Sequence, residues 1–128
     1  MAVMATSVLA GCGASDEEQA ADTVRTYLEA FVDGNGQRAC EQLTDAVQRR
    51  IVDGFSEGAP SAGITSCEQA IGAIADQRST QLAEPVEIKV ERVTVDGDRA
   101  TVRMRGATDD AELTKTDNAG WLISGGIF

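Results

Sequence analysis

Three cysteines give this chain its widest choice of side-chain chemistry. They are Cys12, Cys40 and Cys67, and the sequence contains no histidine. A thiol can carry a lipid, form a disulfide or bind a metal ion. Metal binding is poorly supported, because isolated cysteines without histidine do not complete a tetrahedral zinc site. We therefore expect no metal ion and no cofactor.

The segment before Cys12 is short, apolar and ends in small residues. Val8 to Gly11 (VLAG) and Cys12 resemble the lipobox of bacterial lipoproteins, in which the cysteine becomes the lipidated first residue of the mature protein. The resemblance implies a signal peptide over residues 1–11 and a lipid on Cys12. The alternative is a frayed apolar terminus with a chance cysteine. Because secretory signals also begin with basic residues, absent here, we expect a true start upstream of Met1 or a truncated chain.

Lipidation of Cys12 would leave Cys40 and Cys67 as an even pair in an oxidising compartment, where disulfides persist. We therefore predict a disulfide between them. Closing a loop of this length stabilises the folded state by roughly 3.5 kcal/mol on the chain-entropy account. The alternative is two buried free thiols.

Length and charge limit the possible functions. The 128 residues suit a tether over residues 12–19 and one domain over residues 20–128. The net charge of −10 argues against nucleic-acid binding, which needs a basic surface. It also argues against adsorption to anionic lipids without a covalent anchor. The predicted membrane contact is therefore the lipid on Cys12, in the bacterial cell envelope, on the outer face of the cytoplasmic membrane or in the periplasm.

Apolar residues recur at helical spacing in three stretches of the first half. The first predicts a helix over Asp16–Asp33, capped by Ser15. The second predicts a helical region over Gln37–Val52 with a break at Thr44, followed by a loop over residues 53–65. The third predicts a helix that begins after Ser66. Cys40 and Cys67 lie on the apolar sides of their helices.

Beyond Pro85 the apolar period changes to two, which is typical of strands. The valines fall out of phase near Glu91, which predicts a bulge there, and a turn at Asp96–Asp98 predicts a hairpin. The expected partners are Val95 with Ala100, Val93 with Val102, and Val90 with Met104. A third strand over Ala111–Thr116 and a last strand from Trp121 complete a sheet of about four strands.

Three helices followed by an antiparallel meander indicate an α+β fold. The order of elements, the positions of Cys40 and Cys67, and the closing Gly120–Ile123 (GWLI) resemble small bacterial lipoproteins with a nuclear transport factor 2-like domain. The resemblance covers about residues 20–128. It implies the cone-shaped, cystatin-like fold, with three N-terminal helices packed on a curved antiparallel sheet.

Relatives of this fold include ketosteroid isomerases and polyketide cyclases, which use the hollow of the cone as an active site. The resemblance implies a hollow here lined by Tyr27, Phe31, Val102, Met104, Trp121 and Ile123. None of these side chains can act as a general base at neutral pH. We therefore expect an apolar ligand or a filled core.

The function expected from these patterns is a non-catalytic envelope lipoprotein that binds a small apolar ligand or a protein partner, and not an enzyme. The alternative is a cavity enzyme of isomerase or cyclase type, which needs a buried carboxylate with a raised pKa. Arg99, Arg103 and Arg105 are interpreted as a cross-strand charge ladder, with anion binding as the alternative. Residues 54–65 are interpreted as a connecting loop, with a lid as the alternative.

The predicted lipid anchor can be tested by substitution of one atom. Cys12→Ser should move the protein from the membrane fraction to the soluble fraction of a bacterial host, because serine cannot accept the lipid. Cell fractionation and the intact mass of the protein measure the change. Unchanged membrane retention, with no acyl mass on Cys12, would disprove the anchor.

Overall fold

The computed structural model describes residues 15–79, 88–107 and 109–126. Cys12 and the first part of the predicted tether, residues 12–14, lie outside these residues. The elements are α1 (Asp16–Asp33), α2 (Gly36–Cys40), α3 (Asp45–Gly58), a 3₁₀ turn (Pro60–Ala62), α4 (Cys67–Ser79), β1 (Val90–Asp96), β2 (Arg99–Met104), β3 (Ala111–Thr116) and β4 (Gly120–Gly125).

Helix α1 has the predicted bounds and the predicted cap. The backbone N–H of Glu18 donates to the Ser15 hydroxyl at 3.2 Å, which satisfies one of the free donors at the helix start. Gly34, at a φ of 76°, ends the helix in a left-handed conformation that suits glycine. The buried side of α1 includes Ala20 and Val24, and it packs against the sheet.

The second helical region forms two helices, α2 and α3, which meet at the predicted break. Thr44 caps α3 by accepting a hydrogen bond from the backbone N–H of Val47 at 3.3 Å. Helix α3 continues to Gly58, so the prediction of a loop from residue 53 is wrong for its first part. The reason is that Phe55 continues the four-residue spacing of Val47 and Ile51 and is half-buried, so the apolar side of the helix extends past Gly54.

The four strands form one antiparallel sheet in the order β1-β2-β3-β4. The hairpin register is confirmed: Val90 pairs with Met104 and Arg92 with Arg103, which leaves Glu91 as the extra residue of a bulge. The start predicted for this strand, residues 85–87, lies outside the described residues. Since the bulge restores the phase, the apolar residues of both strands face the helices.

The outer edge of β4 is paired with the segment between α2 and α3. The backbone N–H of Ile123 donates to the Gln42 carbonyl at 2.8 Å, and that of Thr44 donates to the Ile123 carbonyl at 3.0 Å. Leu43 thereby forms a parallel bridge with Ile123. The start of α3 is consequently fixed to the sheet through backbone hydrogen bonds.

The predicted disulfide is present. It joins Cys40, the last residue of α2, to Cys67, the first residue of α4, with a Cα–Cα distance of 6.1 Å. The two helices approach closely at this point. A Cβ atom built on Gly36 would lie 2.5 Å from the backbone oxygen of Glu68, so only glycine fits there.

We expect Gly36→Ala to lower the free energy of unfolding by about 1–3 kcal/mol, because the added methyl group must push α2 and α4 apart. Gly72→Ala is the matched control, since a Cβ at Gly72 in α4 meets no atom within 4 Å. It should raise the stability by about 0.5–1 kcal/mol through better helix propensity. Urea denaturation measures both changes. Equal effects of the two substitutions would contradict the close helix approach.

Asp16, in the first turn of α1, connects that helix to the sheet. Its carboxylate accepts hydrogen bonds from Lys115 Nζ at 3.0 Å and Trp121 Nε1 at 3.3 Å. Lys115 also lies 5.9 Å from the centre of the Trp121 ring, within cation–π range. The hydrogen bond from Lys115, followed by that from Trp121, holds the pKa of Asp16 below its ordinary value.

A depressed pKa means that the ionised Asp16 stabilises the folded state. This contribution is fully present above about pH 4, where the carboxyl of the unfolded chain titrates, and it is lost as the pH falls through the lower folded-state pKa. Asp16→Asn should therefore lower the melting temperature at pH 7, and its difference from the wild type should shrink in acid. Glu17→Gln removes the same charge from the same helix turn and should have a smaller, less pH-dependent effect.

Candidate ligand-binding groove

An apolar groove of about 640 Å³ runs between α1, α3 and α4. Its lining residues are Tyr27, Leu28 and Phe31 from α1, Arg50, Ile51, Gly54, Phe55 and Gly58 from α3, Ala59 after it, and Ile71 and Ile74 from α4. This volume lies within the range of small-molecule sites. The groove lies among the helices, away from the strand residues of the core.

Two aromatic rings form the α1 side of the groove. Tyr27 is 5% exposed and Phe31 is half-buried, with their ring centroids 6.0 Å apart at an angle of 44°. They stand one helical turn apart, so they present one continuous surface. Opposite them, Ile71 of α4 is fully buried and Ile74 is half-buried. The groove therefore has a rigid, apolar interior.

Two glycines keep the α3 side of the groove open. Gly54 and Gly58 are four residues apart and line the groove, and a Cβ built on either meets no atom within 4 Å. The missing side chains leave space beside Ile51 and Phe55. Since residues 54–58 are helical and line the groove, the interpretation of this part as a connecting loop is corrected: it forms one wall.

Arg50 supplies the one charge among the lining residues that the structure describes. Its side chain is exposed, and no described residue forms an ion pair or a hydrogen bond with it. Asp53, three residues further along α3, stands at the spacing that pairs Asp22 with Arg25 at 2.9 Å in α1, yet it does not bind Arg50. The guanidinium donors of Arg50 are thus available to a ligand.

The structure divides the six residues predicted to line one hollow into two groups. Tyr27 and Phe31 line the groove. The other four are buried in the core between α1 and the sheet, with exposures of 7% or less: Val102, Met104, Trp121 and Ile123. The inward face of the sheet is covered by α1, whose small residues allow close packing, and none of these four lines the groove.

The groove residues that the sequence analysis missed are mainly those of α3. The sequence pattern places Phe55 in a predicted loop and assigns no role to Arg50, Gly54 or Gly58. The spacing Val47, Ile51, Phe55 is the signal that finds this wall, because it extends the helix by two turns.

Carboxylates are lacking from the part of the groove that the structure describes. No buried aspartate or glutamate occurs in residues 15–79, 88–107 and 109–126, and none of the lining residues is acidic. The isomerase or cyclase alternative needs such a carboxylate. Within the same residues there is also no cluster of three side chains that could hold a metal ion. The described part of the groove therefore offers a ligand apolar contacts and one positive charge.

One of the hairpin arginines, Arg103, forms ion pairs of the kind that the predicted charge ladder requires. Arg103 contacts Glu91 at 4.0 Å and Asp110 at 3.1 Å, and all three side chains are exposed by 40% or more. Exposed pairs of this kind contribute little stability. Arg103 therefore already has two acidic partners within the chain.

Comparison with known proteins bears on the fold. No protein-family model and no curated protein matches the chain. A crystal structure at 2.00 Å of a protein from Campylobacter jejuni, provisionally named an NTF2-like transpeptidase, is similar with a TM-score of 0.53 at 14% identity. The likeness covers 81% of this chain and 95% of that chain. The fold is nuclear transport factor 2-like. The predicted α+β arrangement is thereby confirmed.

The same comparison corrects the prediction that the chain is not an enzyme. A protein with this fold is named as a transpeptidase, so that prediction is wrong as drawn. It relied on the absence of histidine and of a cavity carboxylate, which bears on isomerase and cyclase chemistry. Acyl transfer uses other groups, such as an activated hydroxyl or thiol, so the missing base does not exclude it.

The predicted lipid anchor is outside the part of the chain that the structure describes, because Cys12 precedes residue 15. Among the described helices, none combines the length and apolar character that a membrane span requires. The anchor on Cys12 therefore stays a prediction.

Proposed function

We propose that this protein is a lipid-anchored, extracytoplasmic domain that binds a small apolar ligand in the groove between α1, α3 and α4. The observation that carries the proposal is the groove itself. It has about 640 Å³ of space, and ten of the eleven lining residues in the described part of the chain are uncharged. Transfer of an apolar ligand from water to such a surface is favourable by about 25 cal/mol for each Å² removed from water.

The rigidity of the walls supports binding. Helix α4 is held to α2 by the Cys40–Cys67 disulfide, and the start of α3 is held to β4 by the backbone bonds of Ile123. Walls that are already in place reduce the ordering cost of binding. The open strip at Gly54 and Gly58 then gives the ligand access to Tyr27 and Phe31.

The compartment is supported by the cysteines. A disulfide persists in oxidising surroundings such as the bacterial periplasm, which suits the export implied by the lipobox-like sequence before Cys12. The lipid on Cys12 would supply the membrane contact for a domain with a net charge of −10.

A neutral fluorescent probe tests the groove. N-phenylnaphthylamine should bind the wild type saturably at one site, with a rise in fluorescence. Gly54→Leu should weaken binding at least tenfold, because the leucine side chain occupies the open strip, while the free energy of unfolding stays the same or rises. Fluorescence titration and urea denaturation measure the two quantities.

Gly72→Leu is the matched control, because it adds the same side chain to a helical glycine that does not line the groove. It should leave probe binding unchanged. Equal probe affinity in Gly54→Leu and the wild type, or a wild type that never saturates, would disprove the proposed site.

A further inference from the structure

We propose that the ligand is a monomeric fatty carboxylate, with its hydrocarbon chain in the groove and its carboxylate on Arg50. This inference rests on the proposed function and names the chemical class of the ligand. The observation behind it is that, among the described lining residues, Arg50 is charged and the others are not.

Several exposed arginines have no ion-pair partner among the described residues, and Arg50 is the one of them that lines the groove. The chain has 21 acidic and 11 basic residues, so acidic partners are abundant. Arg25, Arg103 and Lys115 each pair with an aspartate at 2.9–3.1 Å. Arg50 has no such partner among the described residues, although Asp53 stands one helical turn away. An anionic ligand would supply the missing partner through charge-assisted hydrogen bonds.

The shape of the α3 wall fits a linear chain. Arg50, Gly54 and Gly58 are spaced four residues apart, so they form one row along the helix. The row spans eight residues, or about 12 Å at the helical rise. Its first position is charged and the next two have no side chain, while Ile51 and Phe55 stand beside it. The groove thus has one charged end and an apolar body.

The polar groups of the lining favour a hydrocarbon over a peptide. Tyr27 and Arg50 are the two described lining residues whose side chains carry nitrogen or oxygen atoms. A bound peptide would bring a backbone donor and acceptor at almost every residue, and each would need a partner when buried. A hydrocarbon chain needs none. The single polar requirement of a fatty carboxylate is at its head, where Arg50 lies.

Competition against N-phenylnaphthylamine tests the inference. Decanoate and decanol have the same chain length and differ in the charge of the head group, and both are used below the concentration at which they aggregate. Decanoate should displace the probe from the wild type with about fivefold to tenfold higher affinity than decanol, a modest ratio because Arg50 is exposed. The advantage should fall as the salt concentration rises.

Arg50→Gln should abolish the preference for decanoate over decanol and the salt dependence of that preference. The preference is a ratio measured within one variant, so a general change in groove affinity does not alter it. Arg49→Gln is the matched control: it removes the same charge from the adjacent position of α3, which does not line the groove, and it should keep the preference. Urea denaturation confirms that both variants fold.

The outcomes separate this inference from the proposed function. Equal affinity of the wild type for decanoate and decanol, with intact binding of the neutral probe, would overturn the fatty carboxylate and leave the groove standing. Loss of the preference in Arg49→Gln as well would also overturn it, because the effect would then follow net charge. A capped apolar decapeptide that displaces the probe better than decanoate, or probe release on dimerisation, would assign the groove to a protein partner instead.

Discussion

Helix α1 has to bury two faces at once, and the rest of the fold depends on how it does so. One face lies on the sheet, where Ala20 and Ala30 are fully buried and their small side chains let the helix backbone approach the strands. The other face turns towards α3 and α4 and carries Phe31. Tyr27 stands between the two, part of the core and part of the groove. The position of α1 therefore fixes both the filled core and the open groove.

Most of the fold could be predicted from the sequence, because the signals that set it, such as helix caps and the phase of apolar residues in strands, depend on neighbouring residues. The cap at Ser15 and the end at Gly34 depend on neighbouring residues, so both bounds of α1 follow from the sequence. The bulge at Glu91 follows from the phase of the valines alone. The bridge between Leu43 and Ile123 joins residues 80 positions apart, and no local pattern indicates it. The extent of α3 was misjudged because the glycine, serine and proline of residues 53–65 indicate a loop, whereas the helix continues through Phe55 to Gly58.

The candidate site was harder to predict than the fold, and the residues show why. Tyr27 and Phe31 were identified because an apolar stripe on a long helix is visible in sequence. The sequence does not show where the residues around this stripe pack tightly and where they leave space. That depends on how α1, α3 and α4 cross. Strand residues such as Val102 are buried in the core, while Gly54 and Gly58 leave a gap that only the arrangement of α3 beside α1 reveals. The role of Arg50 likewise could not be predicted, because it depends on the absence of an ion pair between Arg50 and the described acidic residues.

The pairing of residues 42–44 with β4 also has a consequence for association between molecules. Exposed strand edges act as templates on which further strands add, which is the usual start of ordered aggregation. At Ile123 both backbone groups on the outer side of β4 are already bonded within the chain, so that edge is closed to a second sheet. At the opposite edge, the bulge at Glu91 interrupts the even spacing that a new strand would need and places a carboxylate beside it. Within the described residues, each edge of the sheet thus carries a feature that hinders the addition of a strand from another molecule.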